Sequence, residues 1–307
     1  MKTKMNKIVG IGAAVVDTLI TLPRFPEEDT KLRAESVKLC GGGPAATGLA
    51  AAGKLGVPGG FIGVLSDDAG GRFLKADFEK YGVDTSLIEV KGGCRSFTSC
   101  IWLNKETGSR TCVFDKGSLP PLSLNERQKE AVRQAEILMV DGNDLDAAVA
   151  AARIARQSGT KVLYDAGGLY EGVERLLALT DLLIPSEEFA LKITGEKTAE
   201  RAAEKLMDTY RPEAAVVTCG KRGGVLVQKG KTVRYPIYPA EVLDSNGAGD
   251  VFHGAFAAAA AMGYSYEQCC HFSSAVSALK CTGVGARESV PDFETVTAFL
   301  AANGYRL

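Results

Sequence analysis

Short apolar runs bounded by glycine or polar residues recur along the chain. Each run is nearly continuous rather than alternating, which is typical of parallel strands buried on both faces. The runs that predict strands cover residues 8–12, 60–64, 137–140, 161–164, 182–184 and 215–218. Alanine-rich segments of helical period lie between them, at residues 45–55, 72–81, 146–157, 199–210 and 250–262. The alternation predicts a three-layer α/β fold with a mainly parallel central sheet.

Two regions depart from this alternation. Residues 18–39 contain short β-like stretches around two prolines, and residues 96–103 and 110–115 flank a glycine-containing turn typical of a hairpin. We expect these regions, within residues 18–39 and 94–116, to form a small β-sheet lid over a pocket at the strand ends. No low-complexity linker divides the chain, so we expect one domain over residues 1–307.

Composition and charge exclude several classes of protein. With 46% hydrophobic and 24% charged residues, the chain has an ordinary globular composition. A formal net charge of −1 provides no basic field for a polyanion, so no nucleic-acid partner is expected. The eight cysteines form no Cys-x-x-Cys pair, and only two histidines accompany them. This pattern predicts reduced thiols in the cytoplasm and no structural zinc site.

The amino terminus superficially resembles a secretion signal. Lys2, Lys4 and Lys7 precede an apolar run over residues 8–16. Asp17 interrupts the run and no clear cleavage site follows, which favours a buried first strand. No other apolar run approaches the roughly 20 residues of a membrane span, so no membrane association is expected.

Two glycine motifs resemble phosphate-binding loops but differ from them in important positions. The run from Gly10 to Gly12 begins like a dinucleotide fingerprint, yet Val15 stands where a small residue is required. Gly230-Lys-Thr is separated from Gly224 by one residue too many for a P-loop, and its surroundings predict strand, turn and strand. Neither motif supports a dehydrogenase or a P-loop enzyme.

The third glycine motif is the run Asp244-Ser-Asn246-Gly247-Ala248-Gly249-Asp250. It leads directly into an alanine-rich helix, so the free amides and positive end of that helix predict an anion-binding site. Asp250 lies in the first turn, where a carboxylate can accept a proton from an attacking hydroxyl. In isolation the motif is better explained by an acidic residue that only complements the helix dipole.

The residues around this motif favour a catalytic role for Asp250. The run, together with the following Val-Phe-His-Gly-Ala-Phe, closely resembles the C-terminal signature of the PfkB family of carbohydrate kinases, which have a ribokinase-like fold. The resemblance extends over nearly the whole chain. It implies transfer of the γ-phosphoryl group of ATP to a primary hydroxyl of a sugar, with Asp250 as the base. The amides of Gly247, Ala248 and Gly249 would hold the developing charge.

A second signature concerns the sugar. The run Gly41-Gly42-Gly43-Pro-Ala-Ala-Thr resembles the family's first signature, which implies that Gly42, Gly43 and the upstream Asp17 contact sugar hydroxyls. The asparagine that ribokinases use to hold ribose falls on Ala46. A ketohexose or hexose-derived sugar is therefore favoured over ribose. The runs over residues 41–47, 251–255 and 278–282 also resemble sulfofructose kinases, which act on a fructose-like acid.

The lid hairpin carries a candidate phosphate clamp. Its run from residue 108 to residue 120 resembles the hairpin of ketohexokinases, whose arginine reaches the transferring phosphate. That resemblance implies the same role for Arg110. The alternative is a solvated arginine on an exposed strand.

The nucleotide side is implied by Thr218-Cys-Gly220-Lys-Arg-Gly223, which is similar to the family's nucleotide loop, and by residues 275–285, which are similar to its adenine-side helix and turn. The implied ATP contacts are Ser186, Thr218, Gly220, Gly223, Asn246, Gly249, Ala275 and Ala278. The resemblance also implies Mg²⁺ with the nucleotide and leaves open a monovalent cation such as K⁺.

One motif departs from the family. Its Asn-x-x-Glu sequence, which organises Mg²⁺ through water, falls on Ser186-Glu-Glu188-Phe189. Glu187 or Glu188 is the available substitute, and Glu188 is our candidate for a water-mediated metal contact. A packing or capping role is expected for His253, one turn beyond Asp250.

Three expectations remain open. Family members often pair through the lid, so we expect a homodimer. A nucleoside or vitamin kinase on the same fold is an alternative, since fold does not determine substrate. A non-catalytic sugar- or nucleotide-binding regulator is the other.

Overall fold

The computed structural model describes residues 6–307, so Lys2 and Lys4 of the signal-like segment lie outside the described residues. Strands and helices are numbered along this part of the chain. The strands are β1 (Ile8–Ile11), β2 (Val15–Leu22), β3 (Ser36–Gly42), β4 (Gly59–Ser66), β5 (Val83–Asp84), β6 (Ile88–Lys91), β7 (Thr98–Asn104), β8 (Arg110–Asp115), β9 (Ile137–Val140), β10 (Lys161–Ala166), β11 (Leu182–Pro185), β12 (Ala214–Thr218), β13 (Gly224–Gln228) and β14 (Lys231–Tyr235).

The α-helices include the five predicted ones, each of which begins and ends within three residues of its predicted position. They are α1 (Pro44–Lys54), α2 (Ala69–Lys80), α3 (Glu126–Gln134), α4 (Leu145–Ser158), α5 (Glu174–Leu177), α6 (Glu187–Thr194), α7 (Ala199–Tyr210), α8 (Ala248–Ala261), α9 (Tyr266–Lys280) and α10 (Phe293–Ala302).

The large sheet has the order β14-β13-β12-β11-β10-β9-β1-β4-β5, with β6 also paired to β4. All of its pairings are parallel except β12 with β13 and β13 with β14. The mainly parallel sheet is therefore confirmed, and the first apolar run is an inner strand between β4 and β9. The Gly230 segment is the turn between β13 and β14, as expected for a hairpin.

The side chains of the sheet alternate between two apolar cores. On β1, Ile8 packs in the core that contains α1, α2, α8, α9 and α10, whereas Val9 packs in the core formed with α3 to α7. The predicted three layers are thus present, with helices on both faces of the sheet. Cys269 and Cys270 are fully buried free thiols that pack as small apolar side chains within the first core.

A separate sheet of order β3-β2-β7-β8 forms from the two regions that broke the alternation. Its pairings are antiparallel except β2 with β7. The register places Cys40, Asp17, Ser99 and Phe114 in one row across the four strands. Because strand side chains alternate, Arg110 lies on the same face as Phe114, four residues earlier on β8. We call this face the inner face of the lid.

Within residues 6–307, every helix is too short or too polar to cross a membrane.

Candidate active site

The carboxyl ends of the parallel strands bring several acidic residues together. Asp141 directly follows β9 and Asp165 lies at the end of β10, and their side chains are almost fully buried. Since ligands of open parallel sheets bind outside the carboxyl ends of the strands, this edge is the expected location of a site.

Asp141 organises the backbone at this edge. Its carboxylate accepts hydrogen bonds from the amides of Ala13 at 2.9 Å, Ala45 at 3.2 Å and Asn143 at 2.9 Å. A Cβ on Gly12 would overlap the same carboxylate. Asp141 therefore ties the end of β1 to the start of α1, and burial raises its pKa.

The glycine loop ends where α8 begins, as predicted. Gly247 is the residue before the helix and has a φ of 72°, in the left-handed region that favours glycine. A Cβ there would also press on Ala286. The amide of Ala248 donates to the carbonyl oxygen of Ser245 at 3.2 Å. The amide of Gly249 also belongs to the first turn, and a Cβ on Gly249 would meet nothing within 4 Å. The first turn is therefore open to a ligand.

Asp250 lies in this first turn and is partly accessible. Within residues 6–307 its carboxylate forms no hydrogen bond, so both oxygens are free to accept a proton or a hydrogen bond. Burial raises the pKa of Asp250, whereas the nearby His253 and Arg110 lower it. A raised pKa brings a carboxylate closer to the range in which a general base is effective at neutral pH.

His253 connects the first turn of α8 to the sheet. Its Nδ1 lies 2.6 Å from the carbonyl oxygen of Gly249, and its Nε2 lies 2.8 Å from that of Ile184. Carbonyl oxygens only accept, so the ring can contact them as a hydrogen-bond donor through its N–H. The side chain is only 4% exposed. The packing role expected for His253 is confirmed.

Asp165 is the acidic neighbour of His253. Its Oδ2 lies 3.2 Å from Nδ1 of His253. Within the described residues this buried oxygen has no hydrogen-bond partner. Burial raises the pKa of Asp165, His253 lowers it, and the charge of Asp250 raises it further.

The lid reaches the glycine loop through Arg110. Its Nη1 donates a hydrogen bond of 3.1 Å to Oδ1 of Asn246. The loop amide of Asn246 in turn donates to Asp244 at 2.8 Å. The structure thus places Arg110, Asn246 and Asp250 at one location, as the proposed clamp requires.

Asp17 lies on the inner face of the lid. It accepts a hydrogen bond of 2.6 Å from the hydroxyl of Ser99, and burial raises its pKa from 3.8 to about 6. A Cβ on Gly42 would overlap the carboxylate of Asp17. Gly42 is therefore required for the carboxylate to lie against the backbone, which is the juxtaposition expected for a sugar site.

Arg287, which is 1% exposed, contacts the glycine run around Gly42 from the protein interior. Its guanidinium donates to the carbonyl oxygen of Gly42 at 2.8 Å, to Thr47 at 3.3 Å and to the carboxylate of Asp77. Gly43 has a φ of 95° and immediately precedes α1. These buried contacts hold the run in one conformation.

Aromatic surface on the lid faces the same space. Phe114 is 60% exposed and lies in the row of Asp17, and its ring centroid is 5.8 Å from that of Phe97. Phe97 also lines a cavity of about 510 Å³ that reaches Gly12 and Ala13. A larger cavity of about 1070 Å³ is lined by Glu136, Lys161 and Glu213 at the amino ends of the strands, away from these groups.

The predicted nucleotide residues form a second group at the ends of β11 and β12. Ser186 and Thr218 form an isolated parallel β-bridge. The hydroxyl of Ser186 caps α6 by accepting a hydrogen bond from the amide of Phe189. Gly220 and Gly223 have φ values of 55° and 76° in the following turn. Ala278 of α9 is half-buried.

The prediction that Ala275 contacts ATP is wrong. Its side chain is fully buried in the core shared by α8 and α9, because it lies on the helix face that packs inward. It is therefore not available to a nucleotide.

The motif from Ser186 to Phe189 has a structural explanation. Phe189 is 2% exposed and packs edge-on against Tyr164, with ring centroids 6.3 Å apart. Glu187 pairs with Arg222. The side chain of Glu188 is 77% exposed and pairs with Lys192 at 2.6 Å. The structure thus places Glu188 on the solvent face of α6, and its water-mediated metal contact stays a prediction.

Sequence reasoning missed Asp141, Asp165, Arg287 and Lys280. The first two had a readable signal, since each polar residue stands at the carboxyl end of an apolar parallel strand. Arg287 and Lys280 had none, because charged residues are rarely fully buried and the sequence does not show their partners.

A carboxylate in the first turn of a helix, a nearby arginine and a second carboxylate against glycine backbone are the kinds of group that phosphoryl transfer to a hydroxyl uses. A protein-family model described as pfkB family carbohydrate kinase matches residues 5–292. The chain therefore belongs to the pfkB family of carbohydrate kinases.

Individual proteins with similar sequences are also sugar kinases. The ribokinase of Haemophilus influenzae is 28% identical over 94% of this chain and 97% of its own length. The 5-dehydro-2-deoxygluconokinase of Shouchella clausii is 27% identical over 97% of this chain and 96% of its own length. The structure of Arabidopsis thaliana ribokinase complexed with ribose and ATP matches with a TM-score of 0.85 and 27% identity, covering 96% of this chain and 98% of that one. The protein is thus a sugar kinase, a phosphotransferase with an alcohol acceptor.

Proposed function

We propose that this kinase transfers the γ-phosphoryl group of ATP to a primary hydroxyl of a hexose-derived sugar, with a ketohexose or a related sugar acid as the favoured substrate. The observation that carries the proposal is the free carboxylate of Asp250 in the first turn of α8, directly after Gly249, where even a Cβ would meet nothing within 4 Å. Positioning and charge stabilisation are the main catalytic demands of this reaction.

In this mechanism Asp250 accepts the proton of the attacking hydroxyl. The amides of Gly247, Ala248 and Gly249 stabilise the charge that develops on the phosphoryl oxygens, and Arg110 adds a positive charge from the lid. A well-placed donor of this kind contributes about 3 kcal/mol. The raised pKa of Asp250 favours proton acceptance, and the hydroxyl is aligned with the γ-phosphate by the sugar contacts.

The sugar is held between Asp17 and the backbone of Gly42 and Gly43. An ionised Asp17 accepts hydrogen bonds from two hydroxyls at once. Ala46 is fully buried in α1, so this position offers no amide to a ribose. The likeness to a 5-dehydro-2-deoxygluconokinase supports a hexose-derived substrate. Phe114 and Phe97 supply apolar surface for the carbon face of the sugar.

ATP is held by the loop after β12 and by α9, with Ser186, Thr218, Gly220, Gly223 and Ala278 as its contacts. The Arabidopsis thaliana ribokinase structure, which contains ATP, supports this assignment.

Magnesium accompanies the nucleotide in this chemistry and neutralises the charge of the phosphates. It commonly takes one or two carboxylates in addition to phosphate oxygens and water. The buried Oδ2 of Asp165, which has no hydrogen-bond partner within residues 6–307, fits such an ion better than the exposed Glu188. Asp165 would therefore hold it, next to Asp250.

We further propose that residues 1–307 act as one catalytic domain with the small sheet as its lid, and that the protein works in the cytoplasm. All eight cysteines are free thiols, which fits a reducing compartment.

The decisive experiment replaces Asp250 with Asn. We expect turnover to fall by about three to four orders of magnitude, because the proton acceptor is lost, while the dissociation constant of ATP stays within about threefold. Glu294→Gln is the matched control, because Glu294 is also an acidic residue in the first turn of a helix, α10. Turnover of Asp250→Asn near that of the control would show that Asp250 only complements the helix dipole.

The substrate is tested by ADP release with ketohexoses, sugar acids, aldopentoses and nucleosides. We expect the highest kcat/KM with a ketohexose or a hexose-derived acid. A preference for ribose would overturn the role given to Ala46, and a preference for nucleosides would assign the protein to the alternative kinase class.

A further inference from the structure

Lys280, the last residue of α9, lies behind the glycine loop and is fully buried. Lysine is almost never completely buried unless its ammonium group has partners, because removing the charge from water costs several kcal/mol. Burial lowers the pKa of Lys280, and the negative charge of Asp244 opposes that shift. The oxygen atoms around the ammonium group must therefore compensate for lost hydration.

Those oxygens all belong to the glycine loop. The Nζ of Lys280 donates to the carbonyl oxygen of Asp244 at 2.8 Å and to that of Asn246. The Oδ2 of Asp244 lies 4.0 Å away. Two backbone carbonyls and one carboxylate thus surround a single positive charge.

This contact sets the direction of the loop amides. A trans peptide group is planar, so the carbonyl of Asn246 and the N–H of Gly247 point in opposite directions. With the carbonyl turned toward the buried Lys280, the N–H of Gly247 faces the opposite side of the loop. The first turn of α8, where a Cβ on Gly249 would meet nothing within 4 Å, follows directly.

Further hydrogen bonds fasten the same segment. The carboxylate of Asp244 accepts from the amides of Asn246 at 2.8 Å and Gly285 at 2.9 Å. The amides of Leu243 and Asp244 both donate to the carbonyl oxygen of Cys281 at the end of α9. The loop and the helix end are therefore one unit, with the ammonium group at its centre.

Carbonyl and carboxylate oxygens are also the ligands that replace water around a potassium ion in proteins. A lysine ammonium is a compact point charge with three donors and makes the same demand on its surroundings. Here it is covalently attached, so it needs no ion from solution.

We propose that Lys280 is a positioning residue whose ammonium group serves as a tethered monovalent cation for the glycine loop, so that this kinase works without bound K⁺. The activity readout of this proposal rests on the proposed kinase reaction. A K⁺ ion at this position would have to compete with the ammonium group of Lys280 for the carbonyl oxygens of Asp244 and Asn246.

The test compares the wild type, Lys280→Ala and Lys280→Met in buffers whose only added monovalent cation is tetramethylammonium, Na⁺ or K⁺. We expect wild-type turnover to be the same in all three within about twofold. In tetramethylammonium, Lys280→Ala should lose about 100-fold in kcat, the scale of a misplaced oxyanion donor. K⁺ or NH₄⁺ should restore at least about tenfold to Lys280→Ala, since the truncated side chain leaves room for an ion.

Lys280→Met fills the space without a charge, so it should stay impaired and unresponsive to K⁺. Lys205→Ala is the matched control, because Lys205 also donates to a backbone carbonyl, that of Thr194, but lies on α7. It should behave like the wild type in every buffer.

Thermal unfolding without substrate provides a readout that does not depend on turnover. K⁺ should raise the unfolding midpoint of Lys280→Ala and leave the midpoints of the wild type and Lys280→Met unchanged. A wild type that needs K⁺ for activity or is stabilised by it would overturn the proposal, even if no variant folds. A folded Lys280→Ala that ignores K⁺ in both measurements would overturn it as well. Failure of the kinase proposal alone would abolish turnover but not the midpoint shift.

Discussion

The Nη1 of Arg110 lies 3.1 Å from Oδ1 of Asn246, so the lid hairpin touches the glycine loop across 136 residues of sequence. The same arginine lowers the pKa of Asp250. The lid therefore contributes charge where the phosphoryl group is proposed to lie, in addition to covering the pocket.

Replacing Arg110 tests this contribution. We expect Arg110→Ala to lower kcat about 100-fold and to leave thermal stability unchanged, because the side chain is exposed and packs against no core. Arg110→Lys should recover only part of the loss, since an ammonium lacks the planar fork of a guanidinium. Steady-state kinetics and thermal unfolding check both variants.

Arg95→Ala is the control for Arg110. Arg95 is also a lid arginine, is 70% exposed and pairs with Asp115. Equal losses in the two variants would mean that general lid charge, rather than the contact with Asn246, assists the reaction.

We expect the ionised carboxylate of Asp17, which is positioned to bind the sugar, to lower the free energy of unfolding of the protein without substrate. Burial raises its pKa from 3.8 to about 6, so the folded protein binds the proton more tightly than the unfolded chain does. The stability from that proton is complete below pH 3.8 and is lost as the pH rises through about 6. At about pH 8 the wild type therefore holds a costly buried charge.

Asp17→Asn should accordingly raise the free energy of unfolding by about 2 kcal/mol at about pH 8 and by much less at about pH 5. It should also raise the KM for the sugar strongly, because a neutral amide is a poorer acceptor. Urea unfolding at both pH values measures the first effect. A variant that is less stable than the wild type at about pH 8 would contradict the sign.

The buried pair of Asp165 and His253 should be energetically coupled. Removing one member of a buried polar contact leaves the other without a partner, which typically costs about 1 to 3 kcal/mol. Asp165→Asn and His253→Gln should therefore each destabilise the protein and lower turnover, and the double variant should lose less than the sum. Urea unfolding of the four proteins gives the coupling energy directly.

His271→Gln is the control, because His271 is the chain's other histidine and stacks on Tyr305 at 3.9 Å between ring centroids. It should leave turnover unchanged. Additive effects at Asp165 and His253 would mean that each side chain acts alone.

The outer face of the lid is the expected dimer interface. The strand register aligns Leu39, Thr18, Cys100 and Val113 in one row, and Leu39 and Val113 are 49% and 63% exposed. Exposed apolar rows on open sheets favour pairing with another chain. We expect a dimer by light scattering and a monomer after Val113→Glu. Val90→Glu on β6, at another exposed apolar position, should remain dimeric, and a monomeric wild type would refute the interface.

Local sequence determined most of the secondary structure. Continuous apolar runs predicted the six buried strands, because a strand covered by helices on both faces has no polar side. Small residues between Asp244 and Asp250 predicted the junction of loop and helix, because helix amides are free only at the first turn. The hairpin turns after Lys105 and at Gly230 were also predicted from local sequence, since glycine supplies the backbone conformation that such turns require.

Only the tertiary structure decided which side chains meet. Asp141, Asp165 and Asp250 lie far apart in sequence and converge because parallel strands end at one edge and α8 packs across it. Ser186 and Phe189 replace a family motif because one caps a helix and the other enters the core. The burial of Lys280 depends on the chain folding the glycine loop over the end of α9. Local periodicity shows which face of an element is apolar, but not which distant oxygen atoms will surround a charge.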